Sequence, residues 1–259
     1  MGKYTGYLIV TDYDGSFAEA GEVSPENAEA VRRFQAEGGL FTIASGRTPG
    51  FIYSKSYSFV PNAPVVSMNG TLITDPDDKS EVAAFPLDEG ALELICRIAD
   101  RAPVRSVVLF DGALVNNTWQ PSCGVPIREF FADAPKPYYK GMFVVNAADM
   151  PALIAVAKDV CADNYELNCS WSEGLEMHAK GSGKGECLHV LRKWAREKKG
   201  IDGLTVIGVG DYGNDLSLIK MADIGIAVEN AVDLLKAAAD RVTIKNTDHA
   251  IARIIEELG

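Results

Sequence analysis

Two carboxylates one residue apart follow an apolar stretch near the start of the chain. Asp12 and Asp14 flank Tyr13, and a glycine turn begins at Gly15. Two like charges at the end of a buried strand are unfavourable unless a cation lies beside them. We therefore expect a metal ion, together with a phosphate-bearing substrate, at this point of the chain.

Four further polar loops follow predicted strands. They are Ser45–Arg47, Asn69–Gly70, Lys180–Gly185 and Gly210–Asp215. Ligands of open α/β sheets bind outside the carboxyl ends of the strands. If the strands are parallel, most of these loops share one edge of the sheet. Their carboxylates, hydroxyl, lysine and amides form a set that suits Mg²⁺ and a phosphoryl group.

The elements that position these loops alternate between strands and helices at both ends of the chain. Leu40–Ala44 and Pro64–Met68 are short apolar stretches typical of buried strands, and Ser24 before Pro25 predicts the start of a helix. Near-continuous apolar strands separated by helices indicate a parallel sheet covered on both faces. The predicted fold is α/β, with a Rossmann-like parallel-sheet core and helices on both faces.

The pattern changes from about Phe85. Hairpins are predicted around Asp111–Gly112 and around Glu173–Gly174, and helices accompany them. Antiparallel hairpins with helices indicate an inserted α+β domain. We therefore predict a catalytic core made of residues 1–84 and 184–259, and an α+β cap domain over residues 85–183.

Composition narrows the class of protein. The chain has 259 residues, of which 47% are hydrophobic, and a formal net charge of -11. This charge argues against nucleic acid as a partner, because phosphate backbones favour a basic surface. No apolar stretch is long enough to span a membrane. The five cysteines are odd in number and lack C-x-x-C spacing, so we expect mostly buried, reduced thiols and a cytoplasmic protein.

Four of these motifs, in this order, resemble those of the haloacid dehalogenase superfamily of phosphatases. They are Asp12–Ser16, Ser45–Arg47, Lys184 and Gly210–Asp215. The insertion between the second and third motifs, together with Asn69–Gly70, is similar to the Cof-type branch, which includes sugar-phosphate phosphatases. The resemblance covers nearly the whole chain. It implies a Mg²⁺-dependent phosphatase that acts on small phosphomonoesters, such as sugar phosphates, through an aspartyl-phosphate.

The resemblance also implies a role for each catalytic residue. Asp12 is expected to be the nucleophile and Asp14 the general acid and base. Lys184 is expected to pair with Asp12 and the phosphoryl oxygens, and Ser45 to bind those oxygens. The implied Mg²⁺ ligands are the carboxylates of Asp12 and Asp211 and the backbone carbonyl of Asp14, with Asp215 supporting the metal or the lysine. The implied substrate or phosphate contacts are Gly46, Arg47, Asn69 and Asn214.

Some of these residues have simpler explanations. Arg47 binds substrate or pairs with a carboxylate, and Asn69–Gly70 is a substrate contact or a plain turn. Taken alone, Ser45 is a helix N-cap and Lys184 a surface lysine in a glycine-rich loop. The three histidines lack metal-ligand spacing and are interpreted as structural.

Three other functions share part of this pattern. Gly208–Gly213 matches the G-x-G-x-x-G dinucleotide fingerprint, but Asp211 and Asp215 would place negative charge beside a pyrophosphate. A non-catalytic phospho-acceptor or sensor also uses an aspartate cluster and a lysine, yet has no need of Asp14. A sugar phosphomutase shares every core motif and differs in whether water is excluded.

Overall fold

A computed structural model describes residues 2–55, 59–111, 116–134 and 136–258. The chain forms two compact units. The first contains residues 1–84 and 183–259, and the second contains residues 85–182. Gly183 lies in the first unit, one residue earlier than the division made from the sequence.

The first 84 residues contain β1 (Tyr7–Thr11), β2 (Ala18–Glu19), β3 (Glu22–Val23), α1 (Pro25–Ala36), β4 (Leu40–Ile43), α2 (Pro49–Ser54), β5 (Val65–Ser67), β6 (Leu72–Thr74) and β7 (Glu81–Ala84). Residues 85–182 contain α3 (Ala91–Arg101), β8 (Ser106–Phe110), β9 (Asn116–Trp119), α4 (Ile127–Phe130), β10 (Lys140–Val144), α5 (Met150–Cys161), β11 (Tyr165–Trp171) and β12 (Gly174–Ala179). The remaining residues contain α6 (Leu188–Lys199), β13 (Thr205–Gly210), α7 (Leu216–Met221), β14 (Ile224–Ala227), α8 (Asp233–Ala238), β15 (Arg241–Val242) and α9 (Ala250–Glu257).

The central sheet of the first unit is parallel, in the order β15-β14-β13-β1-β4. Thr11, the last residue of β1, pairs with Val209 of β13 and with Ile43 of β4. The loops that follow these three strands therefore leave the sheet at one edge. The predicted α/β fold with a parallel sheet is confirmed.

Helices cover both faces of this sheet. Ile9 and Ile207 belong to an apolar cluster that also holds Phe34 of α1 and Ile254 of α9. Neighbouring residues of a strand point to opposite faces, so Gly208 lies on the other face. A Cβ atom at Gly208 would lie 3.0 Å from the Cβ atom of Ala222, at the end of α7. The helix thus packs directly against the backbone of β13.

The predicted start of the first helix is confirmed, because the Ser24 hydroxyl caps α1 by accepting a hydrogen bond from the Asn27 amide at 3.2 Å. The stretch around Pro64–Met68 behaves differently from the prediction. Its strand β5 lies in an antiparallel sheet of order β5-β6-β7, and a single parallel bridge, Ala44–Val66, links it to the end of β4. The chain reverses at Met68–Gly70, so β6 returns beside β5 instead of crossing over.

The second unit contains a five-stranded antiparallel sheet of order β11-β12-β10-β8-β9. One face carries Leu109, Phe143 and Met177, which pack with residues of α3 and α5. The other face carries buried polar side chains, among them Lys140 and Glu176. The predicted hairpin of β11 and β12 is confirmed. Strands β8 and β9 also pair. Of their predicted turn, Asp111–Gly112, the glycine lies outside the described residues, as do residues 113–115.

Two bulk expectations can be compared with the structure. Within the described ranges, no helix has the length and apolar character needed to cross a membrane. All five cysteines are free thiols, and three of them are buried, as expected. Cys123 is exposed instead, since the short turn that contains it has no buried residue.

Candidate active site

Asp12 lies immediately after β1, at the edge where the loops of the parallel sheet gather. Its backbone amide still donates to the Val209 carbonyl at 2.8 Å, so the sheet fixes its position. Its residue exposure is 6%. The Lys184 ammonium, itself buried, donates to Asp12 Oδ1 at 2.6 Å. The sequence-predicted nucleophile is thus a buried carboxylate held by a buried lysine.

Asp215 holds the same lysine from the other side. Lys184 Nζ donates to Asp215 Oδ1 at 2.6 Å, while the backbone amides of Asp211 and Tyr212 both donate to Asp215 Oδ2 at 3.0 Å. A Cβ atom at Gly210 would lie 2.4 Å from the Cβ of Asp215, so this glycine makes room for the carboxylate. The amides that a dinucleotide pyrophosphate would need are thus bound to Asp215, which argues against the dinucleotide interpretation.

Asp211 completes a group of carboxylates with Asp12 and Asp215. One possible ligand atom from each lies within 4.8 Å of the others. Ser16 Oγ donates to Asp211 Oδ1 at 3.4 Å. Gly15 has φ +84°, and a Cβ atom there would lie 2.4 Å from Asp211 Oδ2. Only glycine therefore allows the loop after Asp14 to approach the Asp211 carboxylate this closely.

The negative charge of this group exceeds the positive charge beside it. Within the part of the chain that the structure describes, the Lys184 ammonium binds Asp12 and Asp215, and Asp211 lies beside these two carboxylates. Burial raises the pKa of Asp12 well above its usual range; Lys184 opposes this shift, and the other two carboxylates add to it. Burial, followed by the charge of Asp215, raises the pKa of Asp211 to about 7. A set of hard oxygen donors with excess negative charge fits a hard divalent cation.

Asp14 is separate from this carboxylate group. Its side chain pairs with Arg47. Arg47 Nε donates to Asp14 Oδ2 at 2.8 Å, and Arg47 Nη2 donates to Asp14 Oδ1 at 3.1 Å. Of the two explanations left open for Arg47, the structure shows the carboxylate pair. The metal-ligand role expected of Asp14 concerns its backbone carbonyl, and its carboxylate is not part of the acidic group.

Ser45 and Gly46 precede Arg47 in the loop after β4. Ser45 is buried, and its hydroxyl accepts a hydrogen bond from the Arg47 amide at 3.2 Å. The next loop is tied to this one by its backbone, because the Asn69 amide donates to the Ser45 carbonyl at 2.9 Å. The Asn214 side-chain amide in turn donates to Asn69 Oδ1 at 3.1 Å. Asn69 thus joins two loops of the site.

The turn that carries Asn69 has an unusual backbone. Met68, Asn69 and Gly70 all have positive φ values, of 48°, 59° and 98°. Such values are costly for residues other than glycine. A Cβ atom at Gly70 would lie 2.4 Å from the Gly183 carbonyl oxygen, so the turn packs closely against the segment that leads to Lys184. Asn69–Gly70 is therefore a turn that fixes the geometry of the site.

The structure brings most of the predicted site residues together through hydrogen bonds or close carboxylate contacts. One network contains Asp12, Lys184, Asp211 and Asp215; a second contains Asp14, Ser45, Arg47, Asn69 and Asn214, with Gly46 in its loop. Sequence reasoning missed Phe51, whose ring lies 4.5 Å below the Arg47 guanidinium. Arg47 precedes Thr48, the N-cap of α2, so helical spacing gave no indication of this contact.

The profile of the haloacid dehalogenase-like hydrolases matches residues 9–255. The chain belongs to this family. This haloacid dehalogenase-like hydrolase is 26% identical over 271 residues to pyridoxal phosphate phosphatase YbhA of Escherichia coli, covering 97% of this chain and 98% of that protein. It is 24% identical over 269 residues to 5-amino-6-(5-phospho-D-ribitylamino)uracil phosphatase YitU of Bacillus subtilis, covering 97% of both proteins.

The fold of this haloacid dehalogenase-like hydrolase is also shared with solved structures. A crystal structure of a haloacid dehalogenase-like hydrolase from Bacteroides thetaiotaomicron superimposes with a TM-score of 0.78 at 26% identity, and covers 99% of this chain and 100% of that one. The superfamily and the Cof-type branch that the motifs predicted are confirmed. So is the prediction that the protein is an enzyme.

Proposed function

We propose that this hydrolase is a Mg²⁺-dependent phosphatase that removes phosphate from small phosphomonoesters through an aspartyl-phosphate on Asp12. The observation that carries this proposal is the buried Asp12 carboxylate, held at 2.6 Å by Lys184 beside two further carboxylates. A carboxylate placed this way is oriented as a nucleophile, and the lysine offsets part of the charge that an anionic phosphate brings.

In the first step, an Asp12 carboxylate oxygen attacks phosphorus and forms an acyl phosphate. The bond between phosphorus and the ester oxygen breaks, and its electron pair stays on the leaving oxygen. Asp14, as a carboxylic acid, gives its proton to that oxygen, so the product leaves as a neutral alcohol. The Lys184 ammonium and the Ser45 hydroxyl are the groups that donate hydrogen bonds to the phosphoryl oxygens.

In the second step, water attacks the phosphorus of the acyl phosphate. Asp14, now a carboxylate, takes a proton from this water, and the bond between phosphorus and Asp12 breaks with its electron pair returning to the carboxylate. Inorganic phosphate leaves, and both aspartates regain their starting protonation states.

Mg²⁺ is proposed to be held by the carboxylates of Asp12 and Asp211 and by the backbone carbonyl of Asp14. When bound, the ion neutralises charge between the anionic nucleophile and the anionic phosphate. Asp215 keeps both of its oxygens on Lys184 and on backbone amides, so we assign it to holding the lysine.

The substrate class is proposed as small phosphorylated metabolites, with sugar phosphates foremost. The two similar phosphatases are named for pyridoxal phosphate and for a phosphoribitylamino-uracil, both small phosphomonoesters. We assign recognition of the leaving group to the second unit, residues 85–182, acting as a cap.

Phosphate release from an aryl phosphate tests the proposal. Purified protein should release phosphate with Mg²⁺ and lose this activity with a chelator. Asp12→Asn should lower the rate by roughly 10³-fold or more, whereas Asp202→Asn, the same change at an exposed position, should leave it unchanged. Wild-type rates in Asp12→Asn would overturn the proposal. Labelled phosphate recovered on a second sugar instead of as inorganic phosphate would identify a phosphomutase.

A further inference from the structure

The Asp14–Arg47 pair is more ordered than a typical surface ion pair. The guanidinium binds both carboxylate oxygens, at 2.8 and 3.1 Å. The two side chains nevertheless keep 42% and 50% of their surface exposed. A carboxylate this open would sample several rotamers on its own, and the planar two-point contact limits it to one.

Arg47 is itself fixed from three directions. Its amide donates to the Ser45 hydroxyl, and its carbonyl accepts a hydrogen bond from the Met68 amide at 2.9 Å. Its guanidinium lies over the Phe51 ring, 4.5 Å from the ring centre. A cation in this position is attracted to the ring face.

Phe51 is supported by the residue between the two catalytic aspartates. The buried Tyr13 ring packs edge-on against Phe51 with centroids 5.7 Å apart, and the Tyr13 hydroxyl donates to the Gly21 carbonyl at 2.8 Å. A continuous series of contacts therefore links Tyr13 through Phe51 and Arg47 to Asp14, the residue that follows Tyr13 in the sequence.

We infer that Arg47 is a positioning residue for Asp14, and that the Phe51 ring holds the Arg47 guanidinium in place. The inference rests on the proposed function, in which Asp14 exchanges a proton with the leaving oxygen. Proton transfer requires the carboxyl group within hydrogen-bond reach of that oxygen. A partly exposed ion pair contributes little to stability, so it orders Asp14 without preventing its release to the substrate.

The dependence of the rate on the leaving group tests this role. An aryl leaving group such as p-nitrophenolate departs without taking up a proton, whereas a primary alkyl leaving oxygen must be protonated as it departs. The quantity to compare is kcat/KM, which reports the steps up to departure of the leaving group. Arg47→Gln should lower kcat/KM for an alkyl phosphate by on the order of 30-fold, and for p-nitrophenyl phosphate by less than about 3-fold.

Two further variants sharpen the test. Arg47→Lys keeps the charge but loses the planar fork, so it should recover only a small part of the alkyl phosphate rate. Phe51→Leu keeps an apolar side chain but removes the aromatic face. It should show the same preference for the aryl substrate, with a smaller loss. Thermal unfolding of each variant confirms that the protein is folded.

Equal losses on both substrates, restored by Arg47→Lys, would overturn the inference and identify Arg47 as a phosphate contact. No loss on either substrate would also overturn it. Failure of the proposed function looks different, since it would appear as wild-type activity in Asp12→Asn or as no Mg²⁺-dependent phosphate release by the wild type.

Discussion

Each unit of the molecule buries a lysine against carboxylates, and the two clusters differ in charge balance. In the first unit, Lys184 binds Asp12 and Asp215 at 2.6 Å, and Asp211 lies beside them. In the second unit, Lys140 binds Glu176 at 2.7 Å. The former cluster has more carboxylates than cations in the described part of the chain, whereas Lys140 and Glu176 bind each other as one cation and one anion.

Both members of the Lys140–Glu176 pair make a further contact. Ser170 donates to the second Glu176 oxygen at 2.9 Å, and the Lys140 ammonium lies 4.4 Å from the centre of the Phe110 ring. These contacts join strands of one sheet. A buried, hydrogen-bonded pair of opposite charges can hold strands together, whereas a group with excess carboxylates has the chemistry that suits a cation and an anionic substrate.

The largest difference between the two clusters should appear in the catalytic rate when each lysine is replaced by a neutral residue. Lys184→Gln is expected to lower kcat/KM for phosphate release by roughly 10³-fold, because Asp12 loses its partner and the phosphoryl group loses a cation. Lys140→Gln is the matched control in the other cluster, and the protein that remains folded should keep its rate within about tenfold. Steady-state kinetics on purified, folded protein measures both. Similar losses in the two variants would remove the functional distinction.

The next largest effect is on stability. Glu176→Gln leaves the Lys140 charge buried without its partner, so the free energy of unfolding should fall by about 4 kcal/mol. The double variant Lys140→Met and Glu176→Leu removes both charges and should recover most of this loss. Urea unfolding measures the three free energies. A double variant as unstable as Glu176→Gln would contradict the interpretation of a structural ion pair.

Beside that pair, His178 gives the second unit a pH-dependent stability. It is fully buried, and burial lowers its pKa to about 4. Its Nε2 lies 2.7 Å from the Asn168 side-chain amide, and its Nδ1 lies 2.8 Å from Ser182 Oγ. A neutral imidazole satisfies both contacts by accepting one hydrogen bond and donating the other, whereas the protonated ring cannot accept.

Because the folded pKa of His178 lies below the unfolded value of about 6.5, its contribution is present in full above pH 6.5 and is lost as the pH falls toward 4. We expect the free energy of unfolding to fall by roughly 3 kcal/mol over this interval. In the variant His178→Gln, the free energy of unfolding should fall correspondingly less over the same interval. Urea unfolding at several pH values checks this, and equal slopes in both proteins would contradict it.

The smallest effect is a gain in stability in the cluster with excess carboxylates. Asp211→Asn removes one of the three carboxylates and keeps the side-chain shape. At pH 8, above the Asp211 pKa of about 7, the metal-free variant should be about 1 kcal/mol more stable than the wild type. At ten times the dissociation constant, Mg²⁺ should stabilise the wild type by about 1.4 kcal/mol and the variant far less. A metal-free variant that is less stable, and still stabilised by Mg²⁺, would contradict the account.

The residues that the sequence could place were those tied to the parallel sheet. Asp12, Ser45 and Asp211 each follow a strand of that sheet, so strand periodicity and loop composition were enough to predict their common edge. The strand before Asn69 departs from the parallel pattern, since β5 joins β4 by a single parallel bridge and otherwise lies in a small antiparallel sheet. Lys184 follows β12, whose hairpin with β11 the sequence did predict. Strand β5 is mostly apolar, and apolar composition does not reveal the direction of its partners.

The partners of individual charges could not be predicted for a similar reason. Lys140 and Glu176 are 36 residues apart and meet because β10 and β12 pair in one register. Arg47 pairs with Asp14 at a separation of 33 residues, through a rotamer that the Phe51 ring supports. Such contacts depend on tertiary packing, and a local sequence pattern does not contain them.

The most direct test of the account is to trap the covalent intermediate. Protein mixed with Mg²⁺ and a phosphomonoester labelled in its phosphoryl group is quenched in acid within milliseconds, digested and analysed by mass spectrometry. Label is expected on the peptide that contains Asp12, and none in Asp12→Asn or in protein treated with a chelator. Phosphate release without any labelled enzyme, or label on a residue outside the Asp12 peptide, would contradict it.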